Sequence, residues 1–240
     1  MDDTKLTLVA HLEELRNRGI KSFVFVFLVS LVLYAFIDAL LPALIKPIGK
    51  VVFISPQEAF VTNIKIALFG GLFLSSPFLL YQVWKFISVG LKPGEKKYAA
   101  IFGPISLLFF ILGSSFAYFV IIPIGMKFLL GFETGVVTPM ITISNYVSFI
   151  VTLIFAFGIV FQLPLAMLFL TKTGLIAPGF LSKKRKHAIV LIFITAAILT
   201  PPDVITQCLM AVPLIFLYEM GIIFSKFARK DKALIDEQVT

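Results

Sequence analysis

AAIFGPISLLFFILGSSFAYFVIIPI, residues 99–124, carries no charged side chain from end to end. A helix needs about 20 apolar residues to cross the roughly 30 Å of a bilayer's hydrocarbon, so this run predicts a transmembrane span. Working outward, the same reading marks five more candidates, at about 20–41, 62–85, 147–170, 187–200 and 204–227. Composition agrees: 59% of the 240 residues are hydrophobic, 14% are charged, and mean hydropathy is +1.03. So little polar surface cannot clothe a soluble globule. The expected fold class is an all-α membrane protein of six spans, forming one polytopic domain over residues 1–240.

The fifth candidate is short, since Ala188 to Thr200 makes about 20 Å of helix at 1.5 Å per residue. A re-entrant loop there would send Lys226, Arg229, Lys230 and Lys232 to the opposite side from the other basic loops. A short spanning helix is therefore preferred, with the Thr200-Pro201-Pro202-Asp203 turn drawn toward a locally thinned bilayer. Six crossings put both termini on one side. Of the 21 Lys and Arg, only Lys46, Lys50, Lys65 and Lys127 fall in the other set of loops. The positive-inside rule then assigns both termini to the cytoplasm.

The net charge of +8 is confined to loops between membrane-length segments, where it orients the chain and meets anionic headgroups rather than nucleic acid. One cysteine, Cys208, and two distant histidines, His11 and His187, exclude a disulfide framework and disfavour a structural zinc. No cofactor is expected. Asp2, Asp3, Glu13 and Glu14 precede the first apolar run and no small-residue cleavage site follows it, so the first span is expected to be retained. The loops at 42–61 and 125–146 have room for short helices on the outer side.

Glu14 and Glu95 are acids on an otherwise basic face. Each has an ordinary reading, Glu14 as an i,i+4 partner of Arg18 and Glu95 as an acid favoured at a helix N-terminus. Together, two carboxylates beside apolar surface also make a receptor for two guanidiniums through charge-assisted, bidentate bonds. Within the apolar runs, Glu219 and Gln162 are the polar groups that need an explanation, either as functional groups or as interhelical hydrogen bonds that fix packing. Asp203 reads as a cap for the last helix. Glu219 and Asp203 also allow a second function class, a proton-coupled small-solute transporter. An integral-membrane enzyme finds no support, because no Ser-His, paired-His or metal-ligand pattern is present.

Several ordered motifs resemble one known family. They are HLEELR at 11–16, SPFLLYQVWKF at 76–86, GEKK at 94–97, FAYF at 116–119 and TPPD at 200–203. From His11 to about Arg229 the chain is similar to the TatC family of twin-arginine translocase proteins. The resemblance implies a glove-shaped, concave bundle of six helices in the inner membrane, helices five and six short. It also implies a receptor for signal peptides with two adjacent arginines, exporting folded proteins on the proton-motive force with TatA- and TatB-type single-span partners and with copies of itself. By motif, Glu14 and Glu95 match the signal-peptide glutamates, Arg16 an arginine of the N-terminal motif, and Phe86 an aromatic beside the first cytoplasmic loop. Pro47 and Asp203 match motif positions in the outer loops. Gln162 departs from the pattern, since many members carry glutamate there and an amide carries no proton.

Overall fold

The computed structural model describes residues 8–48, 51–91, 94, 96–131, 140–199 and 204–239, without the side chains of residues 8, 178 and 228–239. These residues form helices almost throughout. In chain order they are α1 (Leu8–Tyr34), α2 (Ile37–Ile45), α3 (Pro56–Leu74), α4 (Ser76–Val89), α5 (Lys96–Phe116), a π turn (Ala117–Ile121) and α6 (Ile122–Leu130). Then follow α7 (Ile143–Val160), α8 (Leu163–Lys172), α9 (Pro178–Lys183), α10 (Arg185–Leu199) and α11 (Val204–Val239).

Four stretches are long and apolar enough to cross a membrane: Val9–Tyr34, Lys96–Leu130, Ile143–Lys172 and Val204–Phe227. A fifth crossing arises if α3 and α4 act as one span bent by 51°. Pro77 sits in the first turn of α4, where its missing N–H and fixed φ allow a helix to start but not to run straight through. Helix α10 has 15 residues and is the short element expected at 187–200.

Other breaks also have local causes. Pro164 follows the α7–α8 break at Phe161–Gln162. The π turn falls on the FAYF motif, and the Ile122 N–H reaches back to the Ala117 carbonyl. Pro123 has no N–H for the Phe119 carbonyl, and one extra residue in the turn absorbs that loss without ending the helix. The end of α1 was not legible. Phe36 leaves the helical region at φ −107°, ψ 16°, with no glycine or proline to announce it, so 35–41 does not extend the first helix as expected. At α3 the start is conventional: Ser55 Oγ accepts from the Glu58 N–H, and Glu58 Oε2 accepts from the Ile54 N–H at 2.9 Å.

The chain divides into two compact units, Met1–Lys46 with Phe53–Leu107, and Pro47–Val52 with Leu108–Thr240. In the first, α1 and α3 cross closely at Gly71. A Cβ there would stand 2.1 Å from Ser30 Oγ and 2.8 Å from the Ser30 Cα. Ser30 Oγ in turn donates to the Val26 carbonyl at 2.8 Å, so the hydroxyl is satisfied inside the apolar crossing. In the second unit, α5 and α7 meet through Gly113, whose Cβ would be 2.5 Å from the Phe157 carbonyl oxygen, and through Gly158 against Phe110 and Ser114. Helices α8 and α11 meet where Gly221 faces Met167. Lipid tails are as apolar as leucine, so helices in membranes associate through close backbone approach and van der Waals contact, and these glycines permit it.

The second unit also contains a parallel bridge between Val52 and Thr142. The Val52 N–H donates to Ile141 O at 3.1 Å and the Ile143 N–H to Val52 O at 2.8 Å, linking the two loops expected on the outer side. The surface of the chain is rich in large apolar side chains, such as Phe23, Phe119, Ile198 and Phe216, each more than half exposed. In a soluble protein such a surface would aggregate, whereas in a bilayer it faces solvent of its own kind.

Candidate functional site

The site builds up from α1 and α4 in the first unit. Residues 11, 14 and 18 of α1 lie three and four apart, so His11, Glu14 and Arg18 share one helix face. Arg18 Nε donates to Glu14 Oε1 at 2.8 Å, and Arg18 Nη2 donates to the same oxygen. The other fork of the guanidinium, Nη1, donates to Gln82 Oε1 on α4 at 2.8 Å. Both ends of the ion pair are largely covered, Arg18 at 16% and Glu14 at 22% side-chain exposure, so they are screened less than a surface pair. His11 stacks on Phe86 of α4 with ring centroids 4.3 Å apart and planes 17° from parallel, while its Nδ1 stands 4.0 Å from Glu14 Oε2.

Beside this network lies a cavity of about 400 Å³ lined by Glu13, Glu14, Arg18, Gln82, Lys21 and Lys85, among others. Its lining is ionic and amide in character, so it favours a charged, hydrogen-bonding guest. The arrangement holds a guanidinium at a carboxylate, and nothing in it performs bond chemistry. No group of three or more His, Cys, Asp or Glu comes together as a metal site among the described residues.

The expected site residues separate accordingly. Glu14 and Phe86 come together across α1 and α4. Arg16 does not join them: its Nη2 meets Glu13 Oε1 at 3.5 Å, with 68% and 61% of the two side chains exposed. Glu95 and Asp203 lie outside the described residues. Pro47 is half-buried in the turn after α2. Gln162 is half-buried at the α7–α8 break, where its Nε2 donates to the Gly158 carbonyl of its own helix at 3.4 Å.

Glu219, in the second unit, accepts from Arg185 Nη2 at 2.7 Å, and the neighbouring Tyr218 hydroxyl donates to the Leu181 carbonyl at 2.8 Å. These bonds tie the α9–α10 corner to α11. Sequence reasoning missed Gln82 and the His11–Phe86 stack. The signal was present, since both α4 residues stand in SPFLLYQVWKF, but pairing residues that far apart requires the fold.

Phe86→Ala should remove the stacking contact, worth about 0.5–1.5 kcal/mol beyond area burial. Thermal unfolding in detergent should show it as a lowered Tm, with Phe86→Tyr close to the parent. An unchanged Tm in the alanine variant would mean that the ring pair contributes nothing.

The family model for "Sec-independent protein translocase protein (TatC)" matches residues 10–213 of the chain. The chain belongs to the TatC family. Among curated relatives, the TatC of Carboxydothermus hydrogenoformans is 42% identical over 95% of this chain and 96% of its own length. That of Aquifex aeolicus is 39% identical over 97% of this chain and 100% of its own. A solved structure titled "Crystal Structure of Twin Arginine Translocase Receptor- TatC" superposes with a TM-score of 0.82 at 39% identity, covering 91% of this chain and 99% of that one. As a TatC-family protein, the chain is a component of a twin-arginine protein translocase, embedded in the membrane and serving protein transport. It is a multi-pass bacterial membrane protein and not an enzyme.

Proposed function

We propose that this TatC-family chain is the receptor for twin-arginine signal peptides, with Glu14 and Glu95 as its paired carboxylates. The observation that carries the reading is the grip of Glu14 on a guanidinium: Arg18 already binds its Oε1 through two nitrogens beside a polar cavity. A peptide arginine has the same planar fork, so it can exchange for Arg18 at Glu14 while Arg18 keeps its bond to Gln82. The stacked His11–Phe86 pair provides an apolar shoulder for the hydrophobic part of the peptide. Lys21 and Lys85 line the same cavity and repel cationic peptides that lack the carboxylate match.

In this reading the chain crosses the inner membrane six times with both termini in the cytoplasm, where its basic loops lie. It assembles there with TatA- and TatB-type single-span proteins and with other copies of itself, and export draws on the proton-motive force. Purified protein should bind a synthetic twin-arginine signal peptide and lose most of that affinity when both arginines are replaced by lysines, since lysine offers no bidentate fork. Equal affinity for the two peptides would remove the basis of the reading.

Glu219 serves as a tether in this reading. Arg185 Nη2 donates to its carboxylate at 2.7 Å, and this bond joins α10 to α11. Glu219→Gln keeps an acceptor oxygen for Arg185, so it should leave export of a reporter within about fivefold of the parent. A loss of several orders of magnitude would instead assign the carboxylate to proton coupling.

A further inference from the structure

The first unit holds a second cavity, of about 530 Å³, between α4 and the N-terminal half of α5. Its walls are apolar, built by Trp84, Gly103, Pro104 and Leu107, with Trp84 stacked on Phe102 at 5.6 Å. Lys85 and Lys96 are its charged lining residues, and both side chains are exposed. Neither forms an ion pair among the described residues, and Lys85 Nζ stands 5.5 Å over the Tyr81 ring. Lys96 also opens α5, so the positive end of the helix dipole adds to the two ammonium charges.

An apolar groove in a membrane protein is filled by something with hydrocarbon, and two cations with no ion-pair partner among the described residues select for negative charge beside it. A soluble anion would satisfy only the lysines. A zwitterionic lipid would bring its own cation against them. A lipid with an acyl chain and an uncompensated phosphate satisfies both parts, and basic pockets between membrane helices are suited to such headgroups.

We propose that this groove binds an anionic phospholipid, with its phosphate between Lys85 and Lys96 and an acyl chain along Trp84, Gly103 and Leu107. The groove shares Lys85 with the polar cavity beside Glu14, but its lipid assignment does not depend on the paired-carboxylate reading.

Trp84 is the sole tryptophan of the chain, so its fluorescence reports the groove directly. The full-length protein, stripped of lipid in detergent, would be titrated with phosphatidylglycerol carrying brominated acyl chains, and separately with brominated phosphatidylcholine. Quenching of Trp84 by the anionic lipid should reach half-maximum at a mole fraction at least tenfold lower than with the zwitterionic one. Lys85→Gln with Lys96→Gln should abolish that preference, whereas Lys183→Gln with Lys184→Gln should preserve it. Gly103→Leu tests the hydrocarbon half. A Cβ at Gly103 meets Trp84 Cδ1 at an ordinary 3.9 Å, so the backbone tolerates a side chain while the larger group fills the groove and should reduce quenching by both lipids.

Equal quenching by the two lipids in the parent protein would overturn the proposal. So would an equal loss in the Lys183 and Lys184 control, which would reduce the effect to general surface charge. If the groove variants leave lipid quenching intact but weaken binding of a twin-arginine peptide, the groove belongs to the peptide and the lipid assignment fails.

Discussion

Glu14→Ala is expected to weaken binding of a twin-arginine peptide by about 1–3 kcal/mol, roughly 5- to 150-fold in Kd. The loss is that of a charge-assisted hydrogen bond at a largely covered site, stronger than a neutral bond and less screened than a surface pair. Three comparisons isolate the cause. Glu14→Gln keeps an acceptor oxygen and loses the charge, so it should fall between alanine and the parent. Glu13→Ala removes a neighbouring acid that pairs with the exposed Arg16, and should change little. Glu95→Ala should cost an amount similar to Glu14→Ala if the two acids receive one arginine each. Isothermal titration with the synthetic peptide gives these values, and thermal unfolding beside it checks that each variant is folded. That check matters for Glu14, because its loss leaves Arg18 with Gln82 and no carboxylate among the described residues. A double variant, Glu14→Ala with Glu95→Ala, that binds the peptide as tightly as the parent would show that the proposed site is wrong.

The second large effect concerns assembly of the first unit. Gly71→Ala should destabilise the protein by about 1–3 kcal/mol or more, the range of an overpacked core. The added Cβ meets Ser30 Oγ at 2.1 Å and the Ser30 backbone at 2.8 Å, so α1 and α3 must move apart. Gly70→Ala is the contrast. Its Cβ meets only the Leu33 Cδ1, at 3.1 Å, and the end of a leucine can turn away, so that variant should lose less than about 1 kcal/mol. Combining Gly71→Ala with Ser30→Ala removes the Oγ clash and leaves the backbone one, so rescue should be partial. Thermal unfolding in detergent compares all three, and equal stability of the Gly70 and Gly71 variants would contradict the close crossing.

Much of this molecule is readable before folding. Charge-free runs such as 99–124 announce helices of membrane length, and the shortness of α10 follows from the distance between Lys186 and Pro201. The motifs HLEELR and SPFLLYQVWKF carry the family, and Glu14 and Phe86 within them meet as members of one cluster. Less legible are the end of α1 at Tyr34 and the π turn after Phe116, where backbone geometry shifts without a local breaker or just ahead of one. Arg16 and Arg18 look equivalent in the sequence, yet one faces solvent with Glu13 and the other is held between Glu14 and Gln82.

Hydropathy, charge placement and motif order belong to windows of consecutive residues, so the sequence alone determined the membrane class, the helical content and the family. Which side chains meet depends on how each helix is rotated and how closely it crosses its neighbour. Those quantities are set by contacts such as Gly71 against Ser30 and Gly113 against Phe157, between residues far apart in the chain. Only the tertiary structure, therefore, decided that Arg18 occupies Glu14, that Gln82 completes the clasp and that Lys85 and Lys96 share an apolar groove.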